Sequence, residues 1–480
     1  MMSRSISSFR IAWTRPLPGN LVPELPTENG WPRAHRPESP LRPVVTNREK
    51  KMKSSGIKVA PSASRLTGSL RDIGYSFESA VADLIDNSIA AGADAVDVIV
   101  NYDGRNSRVF IIDNGRGMDS EGLTEALRFG TKRGYDRGEL GRYGLGLKTA
   151  SLSQCRRVVV FSRDPQDGHL AGLSLDLDFI ETVDDWMVTF PEDSDLEERV
   201  RGLFPHSTGT AVVWENLDRL LPAKNPESSW ARQKFLRAAE RLQQHLEMVF
   251  HRFLSGDGVD KVTIRVNGSE IAPWDPFVTE EEKTELVSRD VLDLPTSTGQ
   301  LGKVTVNAYC LPARSQFSSQ DAFDRAAGPR KWNRQQGLYI YRANRLVQWG
   351  GWDGIRTIDE HIKLARVALD FDTDLDDEFN INVAKMRVTM PHQLKKMLAR
   401  SVADVCAQAG ARYRRDQNRG TATQLELEEK SSDSISISNG AEVGLALKSA
   451  AAQSGNYDAF LQMSEIIRRT SPDLAKQLGI

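Results

Sequence analysis

Three short blocks between Glu78 and Ser151 constrain this chain more than any other part of it. An acidic stretch, FESAVADLIDNSIAAGA, is followed by VFIIDNGRGM and then by GELGRYGLGLKTA. Each block alone is common, but their order and spacing supply three different parts of one nucleotide site. In the first, Ala80, Leu84, Ile85 and Ser88 recur at helical spacing, which puts Asp83 and Asn87 one turn apart on a neighbouring stripe. An amide oxygen beside phosphates is a hard ligand for magnesium, and a carboxylate one turn away can orient a water for attack on phosphorus. Taken alone, the helix would equally suit a solvated polar face.

The second block reads as a short apolar strand, Val109 to Ile112, breaking into a loop with Gly115 and Gly117 at alternate positions. Asp113, at the end of that buried strand, needs a partner, and an exocyclic amine is one that selects adenine over guanine. The glycines let backbone approach the ring, and Met118 is placed to pack on its face. An ordinary Asp-Asn-Gly turn is the alternative. In the third block Gly141, Gly144 and Gly146 run straight into a helix start, LKTASLSQ, leaving backbone N–H groups and a helix N-terminus to face an anion. Lys148 falls in the first helical turn, where a cation is unfavourable unless an anion lies nearby, so the spacing predicts a phosphate neighbour. Dinucleotide-binding folds share the glycine spacing, but there the glycines follow the first strand directly. Here a long polar loop, FGTKRGYDRGEL, intervenes and reads as a lid.

Together these blocks resemble the N, G1 and G2 boxes of the GHKL superfamily (gyrase, Hsp90, histidine kinase, MutL), whose ATP site is a Bergerat-fold α/β sandwich. LGRYGLGLKTAS is most similar to the lid of the MORC-like prokaryotic branch. The resemblance implies that Asn87 holds magnesium and that Asp113 reads adenine with Gly115, Gly117, Met118 and Thr210 around it. It also implies that Lys132, Gly141, Arg142, Tyr143, Gly144, Leu145, Gly146, Leu147, Lys148 and Thr149 wrap the triphosphate. Two positions depart from the family pattern. Asp83 stands where the general base is usually glutamate, which implies slow hydrolysis, and Ala90 stands where an acid is frequent. Glu78 and, after it, Asp86 are the substitutes for the base.

The 480 residues suggest several domains, and 39% hydrophobic content is enough for substantial cores. A net charge of −2 gives no global attraction to nucleic acid or membrane, so such contacts must come from local patches. Cys155, Cys310 and Cys406 are far apart, without metal spacing, and no apolar run reaches membrane-spanning length. Those features predict a cytoplasmic protein with reduced thiols and no membrane partner.

Residues 1–55, rich in Pro, Arg and Ser, read as a disordered arm, with a targeting peptide as the alternative. The ATP-binding domain is expected over 56–225 and a long amphipathic connecting helix over 226–258, in which His245 and His251 read as surface or boundary residues. Strand-like stretches over 259–416, beginning with a hairpin at Asn267-Gly268 and closed by a helix near Pro391, resemble the ribosomal-S5-like transducer domain of the GHL group. That resemblance implies that Lys385 of NINVAKMRVTMP, with Arg387 close behind, reaches the γ-phosphate as a catalytic cation. A polar linker over 417–440 and a helical tail over 441–480 complete the reading.

One further segment, FDRAAGPRKWNRQQGLYIYRANR, interleaves Arg325, Arg330, Lys331, Arg334, Arg342 and Arg345 with aromatics. Arg330, Lys331 and Arg334 are the candidate DNA contacts, against a loop with solvated charges. By analogy with the resembling proteins, the expected function is Mg-dependent ATP hydrolysis driving a homodimeric clamp on duplex DNA, in defence against foreign DNA. No nuclease motif is evident, so cleavage would need a separate nuclease or helicase partner. An Hsp90-like chaperone and a non-hydrolysing ATP-sensing scaffold are the alternatives.

Overall fold

The apolar runs RVFIID and GTAVVWE lie side by side in the middle of a sheet that is covered on both faces. The computed structural model describes residues 61–129, 146–164, 166, 168–204, 208–297, 299–381, 388–432 and 440–480. Its first part runs α1 (Ala63–Arg71), α2 (Phe77–Ala90), β1 (Ala95–Asn101), β2 (Arg108–Asp113), α3 (Ser120–Leu127), α4 (Gly146–Leu152), β3 (Arg157–Arg163) and β4 (Leu170–Asp176). There follow α5 (Leu177–Val183), α6 (Ser194–Leu203), β5 (Gly209–Glu215), α7 (Ser229–Val249), α8 (His251–Ser255), β6 (Thr263–Val266) and β7 (Ser269–Glu270). These strands form one mixed sheet in the order β4-β3-β5-β2-β1-β6-β7, in which only β1 and β6 pair in parallel.

Alternation along β2 explains its continuous burial. Val109 and Ile111 enter the main core with α2, α4 and α7, while Phe110 and Ile112 enter a second core with Leu196 and Val200 of α6. Trp214 of β5 is fully buried in the main core and meets Phe77 edge to face at 6.1 Å, which ties the start of α2 to the sheet.

The second part runs β8 (Glu285–Pro295), β9 (Leu301–Cys310), α9 (Gln320–Ala326), α10 (Lys331–Gln335), β10 (Gly337–Arg342), β11 (Arg345–Trp349), β12 (Ala365–Phe371) and α11 (His392–Ser432). Its strands form a second mixed sheet ordered β11-β10-β12-β9-β8. One face packs on α11 through Leu394, Leu398, Val402 and Val405. On the other side, Tyr339, Tyr341 and Leu346 join Met248 of α7. The chain ends in α12 (Gly440–Gln453), α13 (Tyr457–Thr470) and α14 (Pro472–Leu478), which pack on one another.

Several boundaries differ from expectation. The hairpin at Asn267-Gly268 completes the first sheet, because Ala95 to Val98 pair in register with Thr263 to Val266. The stretch expected as linker is helical as far as Ser432, since Leu, Gln, Glu and Lys there favour helix although no apolar stripe marks it. The arm over 1–55 lies outside the described residues. All three cysteines are free and buried, and no helix among the described residues is long and apolar enough to cross a membrane.

Candidate functional site

Helix α2 starts at a reciprocal cap, with Ser76 accepting from the Ser79 N–H and Ser79 accepting from the Ser76 N–H. From Phe77 to Ser88 almost every side chain is buried, yet Asn87 is exposed. One turn earlier Asp83 is only 1% exposed, and its Oδ2 accepts a 2.6 Å hydrogen bond from the Tyr75 hydroxyl. A Cβ placed on Gly146, the first residue of α4, would sit 3.6 Å from that same Oδ2, so the carboxylate faces the end of the glycine-rich loop.

Asp113 ends β2 and is held by three donors. Its Oδ1 accepts from the N–H groups of Gly115 at 2.9 Å and Thr210 at 3.2 Å, and its Oδ2 accepts from the Ser88 hydroxyl at 2.9 Å. Burial pushes its pKa up, and the bonds from Gly115, Ser88 and Thr210 pull the other way. A carboxylate offers about four acceptor positions, so one on Oδ2 is left for a ligand donor. Beside it Ser162 holds the floor, accepting from the Met118 N–H at 2.9 Å and lying 3.0 Å from the Thr210 hydroxyl. Met118 is half-buried against the main core. Gly117 has φ +70°, and a Cβ there would lie 2.1 Å from the Arg163 carbonyl, so its close approach is to the end of β3.

With this geometry in place, residues 75–210 match the family described as histidine kinase-, DNA gyrase B- and HSP90-like ATPase. This segment belongs to the GHKL superfamily. The DNA mismatch repair protein MutL of Rhodospirillum rubrum is 29% identical over 202 residues, covering 40% of this chain and 28% of that protein. Protein MICRORCHIDIA 7 of Arabidopsis thaliana is 36% identical over 105 residues, covering 20% of this chain and 15% of its own length. The MutL protein of Haemophilus influenzae is 28% identical over 203 residues, 41% of this chain and 28% of the relative. The chain thus spans less than a third of the length of the curated relatives it matches.

Within the GHKL segment, Asp113, Gly115, Met118 and Thr210 are linked through Ser88 and Ser162 around one candidate recess, Gly117 lies against Arg163 and Gly209, and Asn87 is exposed on α2. Lys132, Gly141, Arg142, Tyr143, Gly144 and Leu145 lie outside the described residues, as do Lys385 and Arg387. Lys148 requires a correction. Its Nζ turns to the end of α3 and donates to the carbonyls of Ala126 at 2.9 Å and Arg128 at 2.7 Å, where unpaired helix carbonyls attract a cation. Burial lowers its pKa to about 8. Thr149 is fully buried and bonds the Tyr75 hydroxyl, while Leu147 packs against the main core. Among the possible substitutes for the base, Glu78 pairs with Arg241 at 2.9 Å and Asp86 with Arg345 at 2.8 Å.

The basic segment also divides. Arg330, Lys331 and Arg334 are exposed, with Arg330 stacked 5.0 Å over the Trp349 ring. Arg342 and Arg345 are buried in ion pairs with Asp376 and Asp86 and are therefore removed from any surface. Nothing in the sequence singles out Tyr75 or Ser162, and the spacing of Ser88 marks it only as a core position. Tyr75 precedes the helix cap directly, which is the one local signal it carries.

His251 is another buried group whose sequence reading was a boundary residue. It is 5% exposed, its Nε2 lies 2.9 Å from the Tyr341 hydroxyl, and burial lowers its pKa to about 4. His245, edge-on to Trp349, is lowered to about 4 by the same cause. Because the unfolded imidazole protonates near its ordinary value of 6.5 while the folded one stays neutral, stability is lost as pH falls from about 6.5 towards 4. The expected loss for His251 is roughly 3 kcal/mol across that window. Thermal melts from pH 7.5 to 4.5 should show a clearly shallower decline for His251→Gln, and parallel curves would refute the assignment.

Proposed function

We propose that this chain binds ATP with magnesium and hydrolyses it slowly, using the cycle to close a homodimeric clamp on duplex DNA. What carries the reading is Asp113, fixed by Ser88, Gly115 and Thr210 with an acceptor position left over, beside a helix that exposes Asn87. The spare acceptor suits an exocyclic amine such as that of adenine, and the fixed donors keep the carboxylate from turning. Asn87 offers one hard oxygen. Among the described residues no group of three His, Cys, Asp or Glu side chains could hold a metal, so magnesium there would draw its other ligands from phosphate and water. Once bound it would neutralise phosphate charge.

Asp83 faces Gly146 from within the fold and is the provisional base, with its hydrogen-bonded oxygen oriented by Tyr75. Lys385 is proposed as the γ-phosphate cation from the resemblance alone. The exposed Arg330, Lys331 and Arg334 would contact the DNA backbone, supported by their freedom from the buried ion pairs that occupy Arg342 and Arg345.

A second reading, ATP sensing without turnover, is favoured by the same Asp83, which is 1% exposed and engaged by Tyr75 and Arg345. Steady-state hydrolysis by the wild type, Asp83→Ala and Asn87→Ala, with and without duplex DNA, separates the two. The expected outcome is slow turnover that falls at least about 100-fold in both variants. ATP binding without turnover in the wild type would select the sensor. DNA retention should weaken steeply with salt and be lost when Arg330, Lys331 and Arg334 are neutralised together.

A further inference from the structure

The tip of the β10–β11 hairpin leaves the second sheet and docks on the helices of the first part. Its two turn residues, Ala343 and Asn344, have φ of +45° and +65°, the conformation of a tight two-residue hairpin that alanine adopts only when its surroundings impose it. Ala343 and Trp349 pack against the main core, and the Asn344 side-chain oxygen accepts from Arg252 Nη1 at 3.2 Å. Next to the turn, Arg345 enters the interior with its side chain 3% exposed. Its Nε bonds the Asp86 carboxylate at 2.8 Å, and its Nη2 lies 3.8 Å from Asp83 Oδ1.

Asp86 and Asp83 are separated by nearly one helical turn of α2, so a single guanidinium spans both. Asp83 Oδ2 is held from the opposite side by Tyr75, whose hydroxyl also bonds Thr149 of α4. A continuous path therefore runs from α4, which begins at the glycine-rich loop, through Tyr75 and Asp83 to Arg345 and the second sheet. We propose that Arg345 is a positioning residue through which the second sheet sets the orientation of Asp83 on α2 and senses the occupancy of the nucleotide site. The inference rests on the ATP-binding reading above. Arg345 touches no reacting atom in this scheme; it acts through Asp83 and α2, and it needs the planar fork of arginine to reach two carboxylates.

The decisive variant is Asp86→Leu combined with Arg345→Met, which removes both charges of the tight pair and leaves apolar side chains of similar bulk in a buried site. Arg345→Lys, which keeps the charge without the fork, is its companion. Four readouts are taken on the full chain: thermal melting, affinity for ATP and a non-hydrolysable analogue, steady-state ATP hydrolysis, and hydrogen exchange of residues 337–349 with and without the analogue. The expected result for the double variant is a melt close to wild type and ATP affinity within about twofold. Its kcat is expected to fall about tenfold or more at unchanged KM, with loss of nucleotide-dependent protection in the hairpin. Arg345→Lys should fall between the two. Wild-type kcat with protection intact in the double variant overturns the coupling and leaves the ATP reading standing. Failure of the wild type to bind ATP overturns both. In a wild type that binds ATP without turnover, the exchange readout alone decides.

Discussion

Asp113→Asn is expected to weaken ATP binding by about two to three orders of magnitude while shifting the thermal melt by no more than a few degrees. Two backbone N–H groups, of Gly115 and Thr210, point at Oδ1, so only the amide oxygen can occupy that place. The amide nitrogen must then take the place of Oδ2, 2.9 Å from the Ser88 hydroxyl. That hydroxyl can rotate its proton to the Leu84 carbonyl, 3.2 Å away, and accept from the amide, so the fold absorbs the change. The recess does not. Its one spare acceptor becomes a donor, and a donor facing an exocyclic amine leaves both groups desolvated and unpaired. Guanine presents a carbonyl where adenine presents the amine, so the loss for GTP should be much smaller. Calorimetric titrations of both nucleotides check the assignment; equal affinity of variant and wild type for ATP would remove Asp113 from the base-reading role.

The second large effect is on stability. Arg342 and Asp376 form a forked pair, Nε to Oδ1 at 2.6 Å and Nη2 to Oδ2 at 2.8 Å, with side chains 2% and 5% exposed. Asp376→Asn keeps the shape and removes the countercharge at the fork, which costs about 3–5 kcal/mol in a buried site. Against a total stability of about 5–15 kcal/mol, that is a fall of roughly 10 °C in Tm. Replacing both partners with apolar residues, Arg342→Met with Asp376→Leu, should recover most of the loss, because the desolvation cost of both charges disappears together. A melt of Asp376→Asn indistinguishable from wild type would show that the pair contributes nothing. The salt dependence of DNA retention should be the same in all these forms, since Arg342 is not at the surface.

The local parts of the site were legible in the sequence because their signals are local. Asp113 follows an apolar strand and precedes spaced glycines, and Asn87 sits one turn from Asp83 within a single helix. What escaped depends on chain segments far apart. Nothing near Arg345 announces that its partner is Asp86, 259 positions earlier, and its neighbours Arg330 and Arg334 are solvated as a basic surface segment should be. Lys148 looked like a phosphate ligand because it opens a helix; that it reaches back to the end of α3 is decided by packing of the two helices. The hairpin at Asn267-Gly268 was recognisable as a hairpin, but its sheet was not, since register with β1 is a tertiary choice. The helix across the expected linker was hidden because a polar helix away from a core has no apolar period to read.

Helix α11 has a mechanical corollary. It is anchored in the second core from Leu394 to Ala409 and continues to Ser432, so about 35 Å of helix lies past its last core residue at 1.5 Å per residue. A helix is stiff over such a length and behaves as a lever whose fulcrum is the second sheet. A tilt of about 5° at the anchor, small enough to pass unnoticed among the strands, would swing the far end by about 3 Å. A partner gripping the distal turns would therefore receive an amplified copy of whatever small rotation the sheet undergoes.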